Sequence, residues 1–184
     1  EGEVVVPWAK RWLGRGVRAR RSGIGNGIRM ELGMASKEAL VCASSKGLGR
    51  GGAEALAAAG VDLVLNGRTA ATLEATATKI RDRYRVSVTC VAADVATEDG
   101  RAALLAAADG VDILVNNAGG PPPGLWSAWD RDDFIAALDA TMLAPIAMLQ
   151  ALLPGLIGRG RGRWRNITSA SGHATPPPRG PSTS

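Results

Sequence analysis

The chain has little of what staples or metallates a small fold: 184 residues contain two cysteines and one histidine. Two cysteines cannot build a disulfide framework. Cys42 and Cys90 each lie inside an apolar run and read as small core residues of a reduced, cytoplasmic protein. His173 stands in a glycine- and proline-rich context and reads as a loop residue, so no metal site is expected. No unbroken apolar run approaches the length of about eighteen residues that marks a membrane span, and no secretory signal is recognisable. Aromatic residues make up 4% of the chain and form no stacking platform interleaved with the basic residues, which argues against a nucleic-acid binder.

The net charge of +5 is unevenly placed. Residues 1–29 hold seven Lys/Arg against two Glu; residues 30–157 hold ten basic and fifteen acidic side chains; residues 158–184 hold five arginines and no acid. A basic patch on one folded face would not usually sit in two terminal segments flanking an acidic middle. Residues 1–29 therefore read as a basic extension, disordered or read through from upstream of the true start, with Met30 or Met34 as natural starts. The closing residues 173–184, rich in proline and serine, have the composition of a disordered tail.

Between these ends, short apolar runs alternate with Ala/Leu-rich segments at helical spacing. The pattern predicts strands at Ala39–Cys42, Val61–Leu65, Val86–Ala92 and Val111–Val115. It predicts helices at Gly47–Ala59, Thr69–Arg83 (with Thr69 as cap) and Thr97–Ala108. A long helical stretch follows from Asp130 to Ile157, which Pro145 should kink or break. A fifth strand is expected at Arg163–Thr168, although RWRNIT puts two arginines where a central strand should be apolar. Continuous apolar strands separated by helices imply an α/β fold, a doubly wound parallel sheet covered on both faces.

The first strand runs into CASSKGLGRG, Cys42 to Gly51, and then a helix. Strand, glycine turn and helix together let backbone amides and the positive helix end face a pyrophosphate. SGIGNG, from Ser22, has similar glycines but no strand before it. VCASSKGLG followed by NNAG at Asn116–Gly119 resembles the short-chain dehydrogenase/reductases, whose pattern is Thr-Gly-x-x-x-Gly-x-Gly and then Asn-Asn-Ala-Gly. The resemblance covers residues 30–172, and NNAGGPPPG looks like the branch labelled 3-oxoacyl-carrier-protein reductases. It implies the N-terminal, five-strand portion of a Rossmann-type domain. Cys42 and Ala43 stand where the family usually has Thr and Gly.

The resemblance also implies a nucleotide site at Ala43, Ser44, Ser45, Lys46, Gly47, Leu48 and Gly49. Asp94 matches the position that contacts adenine, Asn116 the position that stabilises the sheet, and Ala118 and Gly119 the backing of the cofactor. The other reading of Asp94 is a helix cap or turn residue. An acid at the end of the second strand would favour NAD, but LNGR places Gly67 there, followed by Arg68, with Lys46 in the glycine turn. Two cations without the acid favour NADP (NADPH).

In the family a tyrosine protonates the substrate carbonyl while NADPH delivers hydride. A lysine lowers the tyrosine pKa, a serine orients the carbonyl and an asparagine holds a relay water. Ser169 in NITSAS matches the serine, with Ser171 as the near miss, and Thr141 stands at the asparagine position. The tyrosine and lysine would fall near Ser182 and beyond it; the one tyrosine is Tyr84, and no lysine follows Lys79. GHATPPPRGPSTS therefore reads like the product of a shifted frame or damaged gene. Two functions are expected: an NADP-dependent carbonyl or 3-oxoacyl reductase, or an NADP-binding remnant of one without turnover. A sheet ending at its fifth strand would leave an apolar edge open to self-association or homo-oligomer formation.

Overall fold

The computed structural model describes residues 18–21, 28–31, 33–119 and 126–167. Two short antiparallel strands come first, β1 (Arg18–Arg21) and β2 (Ile28–Glu31), a ribbon that begins within the extension expected to be disordered or read through and crosses its boundary at residue 29. Five parallel strands follow: β3 (Glu38–Val41), β4 (Asp62–Gly67), β5 (Val88–Ala92), β6 (Ile113–Asn116) and β7 (Arg163–Asn166). Their spatial order is β5-β4-β3-β6-β7, so the chain winds outward from β3 in one direction and then returns to wind in the other. The reversal puts a switch point between β3 and β6, where ligands of open α/β sheets bind beyond the strand ends.

Helices α1 (Gly47–Ala58) and α2 (Ala70–Tyr84) contribute Ala53, Ala57, Leu73, Ala77 and Ile80 to one face of the sheet. On the other face lie Leu104 of α3 (Glu98–Ala107) and Met148 of α5 (Ala144–Gly158). Successive strand residues alternate accordingly: Ala39 and Val41 face the first layer, Leu40 and Cys42 the second. β3 is thus buried on both faces, which is why its sequence is a continuous apolar run rather than an alternating one.

The long helical stretch is one rod in three parts. α4 (Arg131–Leu138) opens on a capping box made by Asp130 and Asp133, and a π turn over Asp139–Leu143 leads into α5. Pro145 does not break the rod, because it falls at the start of α5, directly after the π turn, where the Ala144 amide already bonds back to Asp139 O. Pro154 is carried inside α5 as well. The stretch from Arg131 to Gly158 is 28 residues, and an 18-residue window within it has mean hydropathy 1.7 with 17% of the window buried, long and apolar enough by length and composition to cross a membrane. No unbroken apolar run of that length is present, since Asp139, Thr141, Pro145, Gln150 and Pro154 interrupt it; the window passes on its average. Ala144, Met148 and Leu156 pack inward, while Phe134, Leu138, Met142, Leu143 and Ile146 are exposed.

β7 pairs in parallel with β6 although all four of its residues are exposed. Among the described residues the outermost strand on this side is therefore basic rather than apolar, with Arg163 and Arg165 flanking Trp164. Exposed apolar surface is concentrated on the α4–α5 rod instead.

At the N-terminal end of the sheet, Glu38, Asp62 and Asp112 open or immediately precede three adjacent strands. Asp112 is buried between Lys37 at 3.8 Å and Arg161 at 3.2 Å. Burial first, and then the Asp62 and Asp112 charges, push the Glu38 carboxyl above the usual carboxylate range. A raised folded-state pKa contributes stability at low pH that is lost as pH rises through it. Glu38→Gln is thus expected to raise Tm at neutral pH, with the gain shrinking toward about pH 4.3, the ordinary glutamate value. Thermal melts of both proteins across that range check it.

Candidate functional site

The turn after β3 crosses the switch point and is held there from three sides. The Ala43 amide donates to Asn66 Oδ1 at 3.2 Å, and Asn117 Nδ2 donates to the Ala43 carbonyl at 3.2 Å. The Ser44 amide donates to Asn66 O at 2.7 Å, and the Ser44 hydroxyl both donates to Asn66 O and accepts from Asn66 N, each at 3.1 Å. Thr76 of α2 donates its hydroxyl to Ser45 O at 2.9 Å. These bonds take up the inward-facing polar atoms of Ala43, Ser44 and Ser45 and give the loop one conformation.

What the turn presents outward is the start of α1. Lys46 stands at the N-cap position without a side-chain capping bond, and the first turn contains no acid. By contrast, Thr97 caps α3 and Asp130 caps α4, and both helices carry acids in their first turns. The first amides of a helix have no intrahelical acceptors, so those of α1 are available to an anion at the positive end of the helix. Gly47 adopts φ +59°, and a Cβ there would meet open space, whereas a Cβ on Gly49 would lie 2.3 Å from Ala43 O and 2.7 Å from Asn117 Nδ2. Gly49 permits the helix to approach the strand end; Gly47 permits the turn itself. A cradle of this shape fits a pyrophosphate. Leu48, 73% exposed, leaves an apolar side chain over the helix start.

Around the cradle, Lys46 and Arg68 are exposed and, among the described residues, make no ion pair. Gly67, between Asn66 and Arg68, is buried, and a Cβ on it would lie 3.3 Å from Ser45 Cβ. Asp94 accepts from the Ala96 amide at 3.0 Å through Oδ1, and its carbonyl accepts from the Thr97 hydroxyl, so it builds the turn into α3. Asn116 is buried and donates through Nδ2 to Pro145 O at 3.2 Å and Asn166 Oδ1 at 3.1 Å, tying β6 to α5 and β7. Ala118 is half-buried and Gly119 exposed beside the cradle strand ends.

Thr69 occupies the N-cap position of α2 but makes no capping bond with its side chain; its carbonyl instead accepts from Thr72 and Leu73. Thr141 is exposed in the π turn, its hydroxyl donating to Ala137 O at 2.6 Å. Tyr84 ends α2, which runs antiparallel to the strands, and so lies at the opposite end of the sheet from the cradle. Ser169, Ser171, His173 and the tail lie outside the described residues.

Three residues of the site have roles that the motif reading assigns to none of them: Asn66, Thr76 and Asn117, the last standing inside NNAG. The signal for Asn66 was present, a polar amide inside a run that is otherwise buried and apolar, since buried polar groups require partners.

The sequence matches the short chain dehydrogenase family over residues 37–181. It is 31% identical over 156 residues to the human very-long-chain 3-oxoacyl-CoA reductase, covering 82% of this chain and 50% of that protein. It is also 31% identical over 147 residues to the 3-oxoacyl-[acyl-carrier-protein] reductase of Aquifex aeolicus, covering 78% of this chain and 59% of that one. L-sorbose reductase from Gluconobacter frateurii, solved with NADPH and L-sorbose, superposes with a TM-score of 0.71 at 30% identity, covering 74% of this chain and 54% of that one. The chain belongs to the short-chain dehydrogenase/reductase family of oxidoreductases. It spans about half the length of the curated relatives it matches.

Two outcomes follow from the cradle geometry. Ala43 adopts φ +46°, a left-handed conformation that costs an L-residue about 1–2 kcal/mol, against about 0.5–1 kcal/mol of extra chain entropy lost by glycine. Ala43→Gly is therefore expected to stabilise the fold by about 0.5–1 kcal/mol, and Gly49→Ala to destabilise it by at least about 2 kcal/mol, as read by denaturant midpoints.

The thiols give the second outcome. Burial pushes Cys42 up to about 12, against a smaller lowering by its backbone hydrogen bond with Asn117. Burial, then the neighbouring Glu74, push Cys90 up to about 11. Native protein should react slowly with a thiol-disulfide reagent at mildly alkaline pH, and unfolded protein quickly at both cysteines.

Proposed function

We propose that this chain provides the NADP-binding part of a reductase acting on carbonyl substrates of the 3-oxoacyl type. The observation that carries the reading is the uncapped start of α1 behind a bolted glycine turn, with Arg68 rather than an acid following Gly67 at the end of β4. In this reading the Ser45 hydroxyl and the amides from Gly47 to Gly49 hold the pyrophosphate, while Ser44, buried and bonded to Asn66 through both its amide and its hydroxyl, shapes the turn rather than touching the cofactor. Lys46 and Arg68 hold the 2′-phosphate, the free carboxylate oxygen of Asp94 meets the adenine amine, and Ala118 and Gly119 back the cofactor. NADPH, when bound, supplies a hydride to the carbonyl carbon. Ser169 orients the carbonyl. The 3-oxoacyl class rests on the names of the human and Aquifex relatives.

A second reading, nucleotide binding without turnover, is favoured by one observation. Tyr84, the sole tyrosine of the sequence, is at the wrong end of the sheet to protonate a carbonyl near the cradle. A cytoplasmic setting fits unpaired cysteines whose thiols are held protonated, and the apolar outer face of α4–α5 suits a homo-oligomer.

The test pairs a fluorescence titration of NADPH and NADH with an assay of NADPH oxidation by a 3-oxoacyl thioester. Tighter NADPH binding with oxidation supports the first reading; tighter NADPH binding without oxidation supports the second. Equal affinities would sink the assignment to NADP. Arg68→Ala is expected to weaken NADPH about tenfold, the scale of one charge-assisted hydrogen bond, and to leave NADH unchanged. Gly67→Asp should weaken NADPH by a similar factor through like-charge repulsion with the 2′-phosphate.

A further inference from the structure

We propose that Asn66 is a positioning residue that sets the spacing between the pyrophosphate cradle and the adenine-side turn, so that it governs binding of the whole dinucleotide rather than of either half. The inference rests on the nucleotide-binding reading of the cradle.

Asn66 is 2% exposed and sits one residue before the end of β4, between the two segments that would hold the cofactor. On one side its Oδ1 accepts from the Ala43 amide at 3.2 Å, and its backbone pairs with Ser44. On the other, its Nδ2 donates to Val91 O at 3.2 Å and to Ala93 O at 2.8 Å, and Ala93 directly precedes Asp94. Both amide hydrogens and one acceptor site of this side chain are used within the protein. Its role toward a ligand is therefore indirect.

Thr76 and Asn117 also hold the cradle, but each bonds a single carbonyl of the turn. Asn66 alone among the described side chains bonds both the turn after β3 and the end of β5. A dinucleotide spans both subsites, and the affinity gained by linking two contacts in one molecule depends on their separation matching the linker. A ligand that stops at its 5′-phosphate meets the turn only through the long, exposed Lys46 side chain, which can follow a shifted turn, and so feels that separation far less.

The experiment compares NADPH with adenosine 2′,5′-bisphosphate, which carries the adenine and 2′-phosphate but lacks the pyrophosphate bridge. Affinities are measured for the full chain, for Asn66→Ala, and for Ile80→Val as a core substitution in α2. Asn66→Ser, which keeps a polar atom too short to reach both strands, is the second variant should the alanine protein fail to fold. The expected result is an NADPH affinity about tenfold or more weaker in the Asn66 variant, with the bisphosphate changed by less than about twofold. Ile80→Val should leave the ratio of the two affinities unchanged. Proportional losses for both ligands, or an unchanged NADPH affinity, would overturn the role of Asn66 while leaving the cradle reading intact. If the unsubstituted chain binds the bisphosphate but not NADPH, or neither, the cradle reading itself fails and the inference falls with it.

Discussion

The close approach of α1 to the end of β3 is the constraint on which the rest of the molecule depends. Any side chain at Gly49 would drive its Cβ into the Ala43 carbonyl and the Asn117 amide, so the helix can start where it does only because that position is bare. The approach fixes the direction of α1 and points its first amides past the strand ends. It also brings Asn117, beyond β6, within bonding distance of Ala43, and so closes the switch point with a side chain 74 residues away in sequence. The left-handed backbone of Ala43 is tolerated because both its amide and its carbonyl are held by asparagine side chains.

The two ends of the sheet are built for different purposes. At the N-terminal end, carboxylates of Glu38, Asp62 and Asp112 crowd together; Asp112 pairs with Lys37 and Arg161, and a cleft of about 430 Å³ lies beside it. Asp62 accepts from the Ser87 amide, and Arg159 donates to Val111 O, so charged groups there serve mainly to close loops. At the C-terminal end, the described charges Lys46 and Arg68 have no internal ion-pair partners, and the backbone is clamped by neutral amides and hydroxyls. Neutral clamps suit a site intended for a polyanion, because they add no fixed negative charge to compete with it.

Much of the fold was legible because burial on both faces writes itself into composition. ALV, DLVLNG and ILVN are apolar strands by inspection, and the glycine turn between β3 and α1 is local in sequence. The β7 strand was legible only by position, since RWRN has none of the apolar character of its neighbours. The clamps were not legible. Asn66, Thr76 and Asn117 act through bonds to residues 22 to 74 positions away, and a single sequence gives no measure of such distances. Asp94 illustrates a different limit: a turn-building role and a ligand role were both open in the sequence, and its two carboxylate oxygens allow both, one of them being committed to Ala96.

Thr141 shows how the surrounding helix decides what an aligned position can do. Its hydroxyl hydrogen is given to Ala137 O, one turn back, so toward any ligand it can only accept, whereas an asparagine could both donate and accept. The wider turn in which it sits arises next to Pro145, which has no amide to offer, and the helix adjusts by bonding Ala144 back to Asp139. The carbonyl of Pro145 in turn receives the Asn116 amide, which also reaches Asn166. A proline that looks like a helix breaker is thus a docking point for the strand end beside the cradle, and the same asparagine motif that marks the family in sequence is what seats the rod against the sheet. An asparagine at position 141 would therefore add a side-chain amide without rebuilding the scaffold, because the bonds that hold α5 at the switch point run through Pro145 and Asn116 and do not involve the Thr141 side chain.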